Sequence, residues 1–174
     1  MFGARTVTLA LGLGAVLALG PTAKASTDIS GLSNPTRIGE ARLSFFGFVI
    51  YEGQLFTEGG RPFAPGEPVA LEIRYRRDFS AQQMLQATYD ELGRVEGRAP
   101  DQRELVSRLA SCFRDVTDGD SFLAISRSAD QLELKLNGAR TCDVRAPRVG
   151  ERFLSIWLSD NSRFPRLSRR LRGM

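Results

Sequence analysis

Arginines set among apolar residues are the side chains in this sequence whose type and spacing could do chemistry. Arg74, Arg76 and Arg77 fall in the stretch VALEIRYRRDFSAQQMLQATYDELGRV, Val69 to Val95. From Val69 the residues alternate, with Leu71, Ile73, Tyr75 and Arg77 to one side and Ala70, Glu72, Arg74 and Arg76 to the other. That is the period of a strand with one buried face, and it carries Arg77 inward on the apolar side. A guanidinium held by packing takes a carboxylate through two parallel hydrogen bonds, strongly so where water is excluded. Arg42 and Tyr51 lie on neighbouring segments. Arg77, Arg42, Tyr51, Arg74 and Tyr75 therefore form the candidate ligand-binding set, at the polar end of an apolar cleft that suits a fatty or aromatic acid. The competing reading pairs Arg77 with Asp78 or Asp90 at the sheet edge, since buried charges are normally paired within the protein.

The composition removes other chemistries. The chain has no histidine, which takes away the usual general base, the usual triad partner and the commonest zinc ligand. Two cysteines cannot make a four-ligand metal site alone. Asp118-Gly119-Asp120 lacks the ligand spacing and terminal glutamate of a calcium loop, so no metal and no cofactor are assigned. Cys112 and Cys142 either pair, as two cysteines in an oxidising compartment can, or Cys112 is a small hydrophobe on the apolar side of a helix. The sequence leaves both open.

The elements that position these residues follow from periodicity. Gly39 to Thr57 reads as two strands meeting near Gly47, apolar on both faces and hence expected inside the sheet rather than at its rim. Glu58 to Glu67, rich in glycine and proline, is a loop. After the strand at Val69, Ser80 and Gln83 have the spacing of a capping box, with Phe79 and Met84 as its hydrophobic staple. The helix that follows places Met84, Leu85, Thr88, Leu92 and Val95 on one side. A second helix has Asp101 and Glu104 as its cap pair and Leu105, Leu109, Cys112 and Phe113 as its apolar side. Ser121 to Ser126 is a strand. Gln131–Leu136 and Ala139–Val144 form a hairpin around Asn137-Gly138, with Leu132, Leu134 and Leu136 inward. Val149 to Leu158 is a helix with Phe153, Ile156 and Trp157 inward. A last helix follows Ser162, with Phe164, Leu167 and Leu171 in phase and Gly173 as its stop. Strands, two helices, strands, two helices argue for one α+β domain, an antiparallel sheet with helices on one face.

Residues 1–25 stand apart. Arg5, the apolar run Val7 to Leu19 and the A-x-A site Ala23-Lys24-Ala25 read as a signal peptide, giving a mature chain from about Ser26 that is periplasmic or secreted. Residues 26–36 read as a flexible lead-in and 37–174 as the domain. The formal net charge is +4, of which Arg5 and Lys24 account for two. Much of the rest sits at Arg163, Arg166, Arg169, Arg170 and Arg172, a pattern usual for a solvated helix face. No nucleic-acid partner is expected, and any membrane contact is expected to be transient. The oligomeric state is not readable.

Five stretches, GEARLSFFGFVIYEGQLF, IRYRRDFSAQQM, DVTDGDSFLAI, LKLNG and RFLSIWLSDNSRFPRLSRRLRG, resemble in that order the bacterial chalcone isomerase-like proteins, over about residues 37–173. The resemblance implies an open-faced β-sandwich: a large antiparallel sheet, a layer of helices and a ligand cleft between them. It also implies two functional branches. Plant chalcone isomerases close a flavanone ring using an arginine that holds the oxyanion, with a threonine and a tyrosine positioning a water. Related non-catalytic members bind fatty acids, an arginine and a tyrosine gripping the carboxylate. Set against the plant KFTAIGVY pattern, VIYEGQLF puts Tyr51 in the threonine's place. Gly39 falls near the upstream arginine's place, with Arg42 three residues on. The expectation is a non-catalytic, exported protein binding a small apolar or aromatic carboxylate such as a fatty acid. The alternatives are an intramolecular lyase or isomerase using Tyr51 and Arg42, and a periplasmic interaction protein using the arginine-rich last helix.

Overall fold

The structure, a computed structural model, describes Ile29 and residues 31–174. The expected leader, residues 1–25, lies outside them. Six strands form one antiparallel sheet in chain order: β1 (Pro35–Phe45), β2 (Phe48–Glu58), β3 (Val69–Tyr75), β4 (Ser121–Ser128), β5 (Gln131–Leu136) and β6 (Ala139–Arg145). Between β3 and β4 come α1 (Ala81–Glu96) and α2 (Gln102–Leu109), and after β6 come α3 (Val149–Leu158) and α4 (Pro165–Leu171). The α+β architecture is the expected one, with helices packed over one face of the sheet.

Local sequence explains most element ends. Ser80 accepts from the Gln83 backbone N–H while the Gln83 side chain accepts from the Ser80 N–H, so the capping box closes reciprocally and starts α1. The side chain of Asp115 adds a third acceptor, for the Ala81 N–H. Asn137 and Gly138 have φ of +50° and +83°, the left-handed pair that a two-residue hairpin requires. Phe46 and Gly47 repeat that geometry between β1 and β2, at +48° and +81°.

The structure corrects several expectations. The β1–β2 hairpin is at the rim, β1 being an edge strand. Ala41 and Leu55 are buried in it because α4 folds back over the hairpin: Leu171 is buried and packs on Gly53, while a Cβ on Gly39 would collide with the Arg170 and Leu171 carbonyls. Phe164, expected in helical phase with Leu167 and Leu171, caps the start of α4 and is exposed. The lead-in is anchored over its described residues. Ile29 and Leu32 pack with Ala70, Leu123 and Ile125 on the sheet face away from the helices, and the Ser33 and Asn34 N–H groups donate to the Glu58 carboxylate. The central strand β3 therefore buries both faces, Ala70 and Glu72 as well as Leu71 and Ile73. Asp101 makes no cap hydrogen bond; Arg152 of α3 takes its carboxylate instead.

That arginine ties the helix layer together. Its guanidinium is almost fully buried and bonds Glu96 at the end of α1, at 2.9–3.0 Å, and Asp101 at the start of α2, at 2.8 and 3.2 Å. A disulfide between Cys112, in the turn after α2, and Cys142 of β6 joins the helix layer to the far edge of the sheet.

Two outcomes follow. Closing a loop of 30 residues restricts the unfolded chain, so reduction is expected to cost about 3–4 kcal/mol in urea unfolding with and without reductant. Arg152→Met, leaving Glu96 and Asp101 without their cation, is expected to cost about 2–3 kcal/mol. The Arg152 hydrogen bond holds the Asp101 carboxyl below its usual range. Its contribution is present above the unfolded value, near pH 4, and is lost as pH falls, so the acid limb of the stability profile is expected to be shallower in the variant.

Candidate ligand site between sheet and helices

Because β2 and β3 are antiparallel neighbours, Tyr51 and Tyr75 face each other directly across the pair. Both rings lie on the helix-facing side, packed against the main core. Beside Tyr75 is an apolar space lined by Leu71, Ile73 and Tyr75 of β3, Phe122 of β4, and Phe153 and Trp157 of α3; Tyr51 adjoins it through its hydrogen bond to Trp157. The volume of the space is about 20 Å³, room for a single water molecule. Burial pushes the Tyr51 hydroxyl up to about 12, offset in part by the Trp157 indole N–H and reinforced by the Glu91 carboxylate. Tyr75 is pushed up further by burial, then by Tyr51. Both phenols are therefore neutral hydrogen-bond donors at any physiological pH, and neither can serve as a general base there.

Glu91 of α1 is half-buried near Tyr51. Its carboxylate bonds Arg94 at 3.2 Å and Arg163, ahead of α4, at 2.5 Å, while its field reaches Tyr51. A carboxylate, a guanidinium paired to it and a protonated phenol within the carboxylate's field are thus neighbours. Trp157 was expected inward, but Glu91 and Arg163 carry no local signal that sets them apart. Glu91 sits in an ordinary helix, and Arg163 belongs to a run of tail arginines. Only the fold brings them to Tyr51.

The expected arginines lie elsewhere. Arg42 and Arg76 both pair with Glu52 of β2, at 2.6 and 2.8 Å, and Arg74 approaches Glu72 at 3.5 Å, all on the sheet face opposite the helices. Tyr51 and Glu52 are consecutive on a strand, so Arg42 and Tyr51 lie on opposite sides of the sheet. Arg77 is not carried inward. The strand ends at Tyr75, and Arg77 stands exposed with its guanidinium carbon 4.7 Å from the centre of the Phe48 ring. The alternative partners are engaged otherwise: Asp78 accepts from the Asp118 N–H and Asp90 from the Gln86 side chain. Of the five predicted residues, Tyr51 and Tyr75 come together at the site.

No family model and no curated protein matches the chain. Among solved structures, a fatty-acid-binding protein of Arabidopsis thaliana superposes with a TM-score of 0.60 at 9% identity, covering 81% of this chain and 88% of that one. The fold is chalcone isomerase-like. In this domain the space between sheet and helices is closed down on aromatic rings.

Since the Tyr51 and Tyr75 values are raised on folding, their neutral forms contribute stability that is intact below pH 10 and lost as pH rises through the folded values. Denaturant-derived stability is expected to fall between pH 10 and 12, and Tyr51→Phe to make that fall shallower.

Proposed function

We propose that the chain is an exported, non-catalytic binding protein that takes a small apolar carboxylate, such as a fatty acid, between sheet and helices. The observation that carries the reading is an apolar, aromatic-walled space with the Tyr75 phenol in its wall, beside Tyr51 and the Glu91 carboxylate that acts on it and pairs with Arg163. Glu91 occupies the place a ligand carboxylate would compete for. The incoming carboxylate would exchange for Glu91 on Arg163 and accept from the Tyr51 hydroxyl, a charge-assisted pair completed by a neutral donor. A space of about 20 Å³ is far below the ~300 Å³ or more of a small-molecule pocket, so uptake separates α3 from the sheet. Binding is then coupled to opening, and the empty protein is the closed state. The disulfide supports the exported reading, because such bonds persist in oxidising compartments. The isomerase alternative loses its residue pair, Arg42 and Tyr51 being on opposite faces.

The first experiment is native mass spectrometry of the protein recovered from periplasm without detergent, followed by solvent extraction. A bound fatty or aromatic acid is expected, retained more tightly in Glu91→Gln by about tenfold and less tightly in Tyr51→Phe. A protein that emerges empty and stays empty when offered palmitate or oleate would sink the reading.

A further inference from the structure

Two turns in this sheet share one backbone geometry and differ in sequence. Asn137-Gly138 carries in its first position asparagine, a residue that tolerates a positive φ better than most with a Cβ; Phe46-Gly47 carries a phenylalanine there, at φ +48°. A bulky side chain in that region is strained, and packing does not explain it, because the ring is 86% exposed. Its neighbours Phe45 and Phe48 are 62% and 60% exposed. Three phenylalanines thus surround one protruding turn, with apolar surface on the order of 400 Å². At the base of the tip stands Arg77, over the Phe48 ring and without a carboxylate partner among the described residues.

We propose that this tip is a membrane-docking wedge that inserts into the surface of a phospholipid bilayer, with Arg77 meeting an anionic headgroup. The area available decides between this occupant and a second copy of the chain. Two tips packed together would bury at most about 800 Å², below the ~1,200 Å² of a stable protein interface. A bilayer needs only that apolar side chains reach about 5–10 Å past the headgroups. The turn suits that depth, because Phe45 and Phe48 are the closing pair of the β1–β2 ladder and leave little unpaired backbone at the apex. An arginine stacked at the ring's base lies at the level of the phosphates, where a cation is favoured. The inference does not depend on the ligand reading.

The test is Phe46→Trp in the full chain, mixed with phosphatidylcholine vesicles bearing brominated acyl chains, with and without phosphatidylglycerol. Trp157, in the core, is the internal control, and the position-specific readout separates the tip from residues 1–25. Quenching of the new tryptophan but not of Trp157 is expected. Phe45→Ser with Phe48→Ser in the same background should weaken it at least tenfold, and Arg77→Gln should remove the gain from phosphatidylglycerol. Phe46→Asn, which supplies the residue the turn prefers, should raise the melting temperature. An unquenched tip at saturating vesicles would overturn the proposal. So would a lowered melting temperature in Phe46→Asn, which would make the apex ring structural, or a solution dimer that this substitution dissociates.

Discussion

Aromatic rings in edge and tilted contact run as one connected series from sheet to helices, and the rest of the molecule depends on their spacing. Phe79 meets Tyr75 at 5.7 Å between centroids, Tyr75 meets Phe122 at 6.4 Å, and Phe122 meets Phe113 at 6.2 Å. Phe113 reaches Phe153 at 6.4 Å, and Phe153 reaches Trp157 at 5.3 Å. Each contact contributes roughly 0.5–1.5 kcal/mol beyond the area it buries. The series crosses β3, β4, the turn after α2 and α3, so a shift of any one of these elements breaks ring contacts. It also closes the space a ligand would occupy, which makes core packing and uptake competing uses of the same rings.

Charge is sorted around that apolar layer. The sheet face away from the helices carries Arg42, Glu52 and Arg76 as a cross-strand group, with Arg74 beside Glu72, where exposed pairs are worth little singly. Among the described residues the helix side holds one buried arginine, Arg152, whose two carboxylate partners come from the ends of two other helices. At the tail, Arg169 and Arg172 both turn to Asp160, so part of the expected solvated face is used to hold α4 against the domain. These pairs place α3 and α4 and thereby bring Trp157 and Arg163 to the site.

How much of the site could be read from sequence is clearest at β3. Its alternation put Tyr75 on the inner face correctly, whereas β2, partly apolar on both faces, left the side of Tyr51 to its pairing with Tyr75. Extending the period to Arg77 failed because the strand stops: the Tyr75 carbonyl accepts from Gly119, and beyond Arg76 the chain bends toward the bridge between Phe79 and Val116. Periodicity has no term for the residue at which a ladder ends. Arg42, likewise, is one residue out of phase with the inner face, a matter of cross-strand register with Glu52.

Local sequence alone determined the capping box of α1, the Asn-Gly hairpin, the helical phase of α1 and α3, and the strand-helix order that makes the domain α+β. Each is settled by interactions among residues a few positions apart, with energies that do not wait for the fold. Tertiary structure decided the rest. It set the edge position of β1, the second buried face of β3, the disulfide left open by spacing, and the meeting of Glu91, Arg163 and Tyr51. Those depend on which distant surfaces exclude water from one another, and that is a property of the assembled layers rather than of any stretch of chain.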